Sequence, residues 1–366
     1  MKMADPGRLD DEALDIMKRK QEGIDIPLSR DVQAKTTSTF LEYVKLIHNA
    51  IPELNLSEID TTAVFLGRRF SAPLIIDSMT GGTAKALMIN GRLAELAESY
   101  SLPMGVGSQR AGLVSEKLAD SFTITRKNAP NAFLIANIGG AQLSSGLSID
   151  KIKRLIDMIS ADALVVHLNP LQELVQPEGE PRYSGVLKCI SDLVKVIGIP
   201  VMAKEVGAGI SREAAVKLSD VGVSAINVAG SGGTSWAGVE KVRAESASES
   251  LKIRLGELFW DWGIPTALSI IVIRRALAKL PLIASGGIRN GLEIAKCIAI
   301  GADMCAMAYP FLVNAVQSKE ALYQFADTVI AELKSTMFLV GAGDMNSFKS
   351  TKYILTGELR SEVNEY

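Results

Sequence analysis

The sequence predicts an α/β protein: a (β/α)8 TIM barrel with an N-terminal extension and a long insertion after the sixth strand. Three features predict it. From about residue 72, short apolar runs bounded by Gly or Pro alternate with amphipathic stretches of roughly 10 to 20 residues, the pattern of repeated βα units. Eight such runs can be counted. They are nearly free of charge while polar residues gather just after them, as parallel strands with covered faces and reactive C-terminal ends require. An open doubly wound sheet is the second reading.

Taken in order, strands are expected at 73–77, 103–107, 133–137, 163–168, 200–205, 225–229, 282–285 and 304–308. Helices are expected at 85–100, 117–128, 149–160, 185–197, 212–221, 265–280, 291–300 and 310–339. Ser211, with Glu213 behind it, marks one helix start, and Pro265 and Pro310 sit where a first turn tolerates a missing N–H. Two segments break the rhythm: residues 1–72, and residues 231–263, which hold Trp236, Trp260 and Trp262. Excursions of that length at barrel loops serve as lids or subunit contacts, although tryptophans most often simply pack.

The 366 residues carry 39 basic and 41 acidic side chains, a formal net charge of −2. No global field is present to hold nucleic acid or an anionic membrane. The longest charge-free stretches, 128–149 and 221–239, are interrupted by Gly, Ser and Asn and are too polar for a lipid-facing helix. Residues 1–20 lack the apolar centre of a signal peptide. Cys189, Cys297 and Cys305 are dispersed and only His48 and His167 could join them, so no zinc spacing exists. A cytoplasmic location is expected.

Chemistry should sit at the strand ends. Gly286-Gly287 lets backbone N–H groups approach a phosphate at a helix start, in the loop pair after strands seven and eight that commonly forms the phosphate cradle of a barrel. The plainer reading is that these glycines relieve crowding at a turn. No Gly-Lys dipeptide occurs and Gly230-Ser231-Gly232 lacks a third glycine, which disfavours a P-loop or a dinucleotide fingerprint. Lys204 ends an apolar strand as a Schiff-base nucleophile, a fixed cation facing an anionic cofactor, or a salt-bridged structural residue. Glu205 beside it points the other way by strand alternation.

The strings MTGG (79–82), GVGSQR (105–110), HLNPLQE (167–173), QPEGE (176–180), KEVGAGIS (204–211), GGTSW (232–236), DWGIPTA (261–267) and SGGIR (285–289) resemble the type 2 isopentenyl diphosphate isomerase family. The match runs in order from about Arg19 to about residue 350. HLNPLQE, QPEGE and DWGIPTA are specific together, whereas the SGGIR-type loop is shared with other FMN-dependent barrels such as the 2-hydroxy-acid oxidases.

The resemblance implies redox-neutral interconversion of isopentenyl and dimethylallyl diphosphate, with reduced FMN, Mg2+, and NAD(P)H or another reductant to reduce the flavin. It implies FMN contacts at Ser78, Met79, Thr80, Ser108, Asn137, Lys204 and Thr234, with the FMN phosphate at Gly286, Gly287, Ile288, Arg289, Ala308 and Tyr309. Arg19, Lys20, Ser108, Gln109, Arg110 and Gln172 would bind the substrate, Glu173 the metal, and His167, Asn169 and Gln172 would serve catalysis. The chain would divide into an extension, 1–72, contributing substrate contacts, an FMN-binding barrel, 73–340, and a tail, 341–366. Relatives imply a homo-oligomer, a tetramer or larger.

These residue types suit the chemistry independently. A double-bond shift needs a strong acid shielded from water, a diphosphate needs fixed cations, and one carboxylate suffices for a Mg2+ that keeps its waters and bridges phosphates. Two positions depart from the family: Gly23 stands where a histidine follows Arg-Lys after two residues, and Ala229 stands where some relatives carry a hydroxyl. The competing readings are an FMN oxidoreductase acting on a hydroxy acid, and a flavin- or phosphate-binding barrel without turnover.

Overall fold

A computed structural model describes residues 11–366; residues 1–10, part of the stretch read for a leader, lie outside the described residues. Eight parallel strands form a closed barrel: β1 (Leu74–Ile76), β2 (Met104–Gly105), β3 (Leu134–Gly139), β4 (Ala163–His167), β5 (Val201–Lys204), β6 (Ala225–Asn227), β7 (Leu282–Ala284) and β8 (Met304–Met307). Each lies within or against the expected run. Closure is made by β8 on β1, with Cys305, Ala306 and Met307 opposite Leu74, Ile75 and Ile76, which excludes the open sheet.

Side-chain alternation divides the core. Ile75, Ile135, Val165, Met202, Ile283 and Met304 fill the barrel interior, while Leu74, Ile76, Leu134, Leu164 and Leu282 belong to the cluster shared with the outer helices. The antiparallel hairpin Ala63–Phe65 with Arg68–Phe70 adds Phe65 and Phe70 to the interior cluster. The Phe70 ring meets Phe133 edge-on at 5.7 Å.

Most helices fall where expected. The helix expected over 310–339 is instead two, Tyr309–Gln317 and Lys319–Val340. Ser318 between them is extended (φ −165, ψ 170), and its hydroxyl caps the second helix by accepting from the Ala321 N–H. Pro265 is the N-cap of a shorter helix, Thr266–Ala276, rather than its first turn. Ser211 caps Arg212–Asp220 as expected, accepting from the Ala214 N–H.

The segment before the barrel contributes a helix, Asp11–Ser29, and a strand, Val44–Leu46, which pairs antiparallel with Tyr353–Leu355 near the other end of the chain. The excursion after β6 forms two helices, Trp236–Ser246 and Ser250–Leu258. Helix Asp11–Ser29 packs on the first of these and on Arg110–Val114. It thereby covers the C-terminal mouth of the barrel.

Candidate active site

A cavity of about 240 Å3 opens at the C-terminal strand ends and adjoins a more exposed chamber of about 950 Å3. The two share Arg19, Ser108, Gln142, Glu173, Gln176 and Arg243 as walls. Ser78, Met79 and Thr80 follow β1; His167, Asn169, Gln172 and Glu173 follow β4; Lys204 ends β5 and Thr234 lies beyond β6. Gly286 to Arg289 follow β7, with Ala308 and Tyr309 after β8.

The roof comes from helix Asp11–Ser29, whose Arg19, Lys20, Gly23, Ile24 and Pro27 face the cavity at helical spacing. Lys20 Nζ donates to the Ser108 carbonyl at 3.0 Å. Burial, reinforced by Arg19 and Arg110, brings the Lys20 pKa down to about 7. Arg19 is likewise lowered by burial, against the pull of Glu178 at 3.9 Å. The pair is therefore part of the cavity and not an ordinary solvated charge pair. At Gly23 a Cβ would meet only the Trp236 ring edge, at 3.9 Å, so the position where the family pattern has histidine has room for a side chain.

His167 ends β4, and burial, with Lys20, Lys204 and Arg19 nearby, pushes its pKa down to about 3. It is a neutral imidazole at any working pH. Asn137 Nδ2 donates to the Val106 carbonyl at 3.0 Å, which turns Oδ1 toward His167 Nδ1 at 2.8 Å. Nδ1 then carries the proton and Nε2 is an acceptor.

After β4, Pro170 opens the short helix Pro170–Val175. Asn169 Nδ2 donates to Gln172 Oε1 and to Glu173 Oε1, both at 3.1 Å, while Tyr183 donates to Asn169 Oδ1 at 2.7 Å. Glu173 Oε2 accepts from the Glu180 N–H at 2.9 Å. Each carboxylate oxygen keeps a further lone pair. Among the described residues no group of three or more His, Cys, Asp and Glu is placed to hold a metal, so a cation here would rest on Glu173, water and substrate.

Lys204 donates to Asp77 Oδ2 at 3.0 Å in the barrel mouth. Glu205, pointing oppositely as expected, accepts from the N–H groups of Val206, Gly207 and Ala208 through one oxygen; burial raises its pKa to about 7. Gly286 (φ 97) and Gly287 (φ 73) are in the left-handed region. A Cβ on them would come to 2.1 Å from the Gly230 oxygen and 2.2 Å from Thr39 Cγ2. Close approach between protein loops therefore already requires both glycines. Arg289 donates to Gln33 Oε1 at 2.8 Å and lies 5.4 Å from the Tyr309 ring.

Three expected contacts are not brought to the wall of the inner cavity. Gln109 is fully buried in the barrel wall, its Nε2 donating to the Leu155 carbonyl and its Oε1 accepting from the Asn137 N–H; its side chain points to the helix layer. Asn137 holds His167 and lies behind the wall. Arg110 reaches only the outer chamber, 3.9 Å from Glu12. Ala229 does line the cavity, at φ 39. Asp77, Glu240 and Arg243 went unread in the sequence: Asp77 closes an expected strand one residue before the Ser78 strand end, and Glu240 and Arg243 lie in the helix after GGTSW, outside every string.

A closed parallel barrel with this polar, cation-roofed mouth is a TIM-barrel enzyme scaffold. Two mandelate oxidase variants share the fold: one solved with a monooxide FMN adduct (TM-score 0.62, 17% identity, covering 88% of this chain and 94% of that one) and one with benzaldehyde (TM-score 0.62, 17% identity, 93% and 98%). The family model for FMN-dependent dehydrogenase matches residues 180–354.

The chain belongs to the isopentenyl-diphosphate delta-isomerase family. It is 48% identical over 331 residues to the isopentenyl-diphosphate delta-isomerase of Nostoc sp. (strain PCC 7120), covering 90% of this chain and 93% of that protein. It is 45% identical over 348 residues to that of Methanosarcina mazei, covering 95% and 94%. No helix among the described residues is long and apolar enough to cross a membrane.

Proposed function

We propose that this protein converts isopentenyl diphosphate to dimethylallyl diphosphate by an allylic proton shift, with FMN and Mg2+ bound and no net consumption of reductant. The observation that carries the reading is the meeting of Arg19 and Lys20 with His167, Asn169, Gln172 and Glu173 around one cavity, in a chain of this family.

The residues present fit the flavin. Thr80 Oγ1 is a buried polar atom without a partner on a residue of the cavity wall, Lys204 offers a cation, and Gly286 to Arg289 with Ala308 and Tyr309 offer backbone for the phosphate. When bound and reduced by NAD(P)H or another reductant, FMN would supply a proton donor at N5. Arg19 and Lys20 neutralise the diphosphate from the roof, and Arg110 attracts it from the outer chamber. Glu173 would hold a Mg2+, which would offset the charge of the diphosphate. Helix Asp11–Ser29 excludes water from the reacting carbons. His167 offers an acceptor at Nε2, and Gln172 orients the carbon skeleton.

The exposed Leu251, Leu258 and Trp262 of the excursion fit a contact between copies in a homo-oligomer. The free thiols of all three cysteines fit a reducing cytoplasm.

The test is anaerobic incubation of reduced holoprotein with isopentenyl diphosphate and Mg2+ in D2O. Dimethylallyl diphosphate carrying deuterium, with no stoichiometric loss of reductant, is expected. Gln172→Ala lowers kcat by roughly 10²-fold, the cost of misplacing the reacting carbons, with the flavin spectrum intact. Reductant consumed in proportion to product would favour an oxidoreductase; absence of product would favour an inactive binder.

A further inference from the structure

Arg243, on helix Trp236–Ser246, belongs to none of the strings that point to the site, yet its side chain is only 9% exposed and lines both cavities. Every nitrogen of its guanidinium is engaged by a different carboxylate. Nε donates to Glu22 Oε2 at 2.8 Å, Nη1 to Glu240 Oε2 at 2.7 Å and Nη2 to Glu178 Oε1 at 2.7 Å. Glu22 lies on the roof helix that carries Arg19 and Lys20, Glu178 lies in the segment after Pro170–Val175, and Glu240 lies one turn before Arg243. A buried, branched pairing of this kind fixes geometry in a way that an exposed ion pair does not.

Glu240 carries the connection further. It is 2% exposed, and its Oε1 accepts from Gln172 Nε2 at 2.8 Å. An ionised carboxylate only accepts, so the Gln172 amide must turn its nitrogen to Glu240 and its oxygen to Asn169 Nδ2. Burial works against the charge on Glu240, and Arg243 is the foremost group that sustains it.

We propose that Arg243 is a positioning residue serving both halves of the site: through Glu22 it holds the diphosphate-binding roof, and through Glu240 it sets the orientation of the Gln172 amide. This rests on the isomerase reading. The two arms separate kinetically. Glu22→Gln raises KM roughly tenfold, the worth of one weakened charge-assisted hydrogen bond, with kcat within about twofold of the parent. Glu240→Gln, whose amide both donates and accepts, frees Gln172 to flip and lowers kcat roughly tenfold or more with KM little changed. Arg243→Ala worsens both parameters.

The space vacated in Arg243→Ala opens on the outer chamber, so added guanidinium ion at millimolar concentration restores part of the activity, which a merely structural role would not show. Should Arg243→Ala fail to fold, Arg243→Lys, which keeps the charge and loses the fork, is expected to bind FMN and to be impaired in both KM and kcat. A parent that makes no dimethylallyl diphosphate overturns the isomerase reading and this inference with it. With an active parent, the inference alone is overturned if Glu22→Gln and Glu240→Gln change the same parameter, if guanidinium restores nothing to a folded Arg243→Ala, or if Arg243→Lys equals the parent.

Discussion

Lys204 and Asp77 pair at 3.0 Å with side chains 8% and 9% exposed, and this pair leaves two roles for Lys204, partner of Asp77 or fixed cation toward FMN. A thermodynamic cycle separates them. Lys204→Met keeps the bulk of the side chain but strands the Asp77 charge, which among the described residues retains only the Ser78 N–H at 2.8 Å and long contacts from Asn227 Nδ2 at 3.3 and 3.4 Å. Breaking a buried pair from one side costs about 3–5 kcal/mol.

Adding Asp77→Asn removes the stranded charge while an oxygen remains to accept from Ser78. The double variant should therefore recover all but about 1–2 kcal/mol. FMN affinity should not recover. Losing a charge-assisted contact to the flavin costs about 1.5–3 kcal/mol, a rise in Kd of roughly 10- to 150-fold, in the single and double variants alike. Thermal unfolding of the apoproteins and fluorescence titration with FMN read the two quantities separately. A double variant with parental FMN affinity would show that Lys204 serves Asp77 alone; one as unstable as Lys204→Met would refute the stranded-charge argument.

The Lys20 pKa, lowered from 10.5 to about 7, means that between those values the unfolded chain holds the extra proton, so the contribution of Lys20 to stability rises with pH across that window. An anionic diphosphate favours the charged amine, so KM should climb as pH rises above about 7, and Lys20→Arg should flatten the climb; an identical slope in both proteins counts against the roof contact. Glu173→Gln should shift the Mg2+ requirement upward with FMN still bound, and an unchanged Mg2+ titration would remove the metal role. Gly23→Ala should raise stability by about 0.5–1 kcal/mol, because a helical glycine is replaced where space is open, and Gly23→His should lower KM for the diphosphate; a loss of thermal stability in Gly23→Ala would contradict the open space.

The barrel was legible because each of its strands is a charge-poor run flanked by Gly, Pro or polar residues, as for β5 between Pro200 and Gly207. The roof helix was not, since Asp11–Ser29 contains both Gly23 and Pro27 and its apolar residues are sparse. Strand-end strings located His167, Gln172 and Glu173, whose roles depend on where a strand stops. They misplaced Gln109, because one residue at the turn after β2 decides whether a side chain faces the mouth or the helix layer. Arg243 and Glu240 sit mid-helix with ordinary neighbours in sequence, and only the fold brings them to Gln172.

The pairing of Val44–Leu46 with Tyr353–Leu355 sets an order of assembly. Thr356 Oγ1 donates to the Tyr43 carbonyl 313 positions back along the chain, at 3.2 Å, and that closure must await synthesis of nearly the whole polypeptide, with the loop entropy it entails. All eight barrel strands leave the ribosome earlier. The nascent barrel therefore passes through a stage in which the segment before it lacks this partner strand. A truncation removing residues 353–366 would loosen this segment from a distance, without touching a single residue of the cleft.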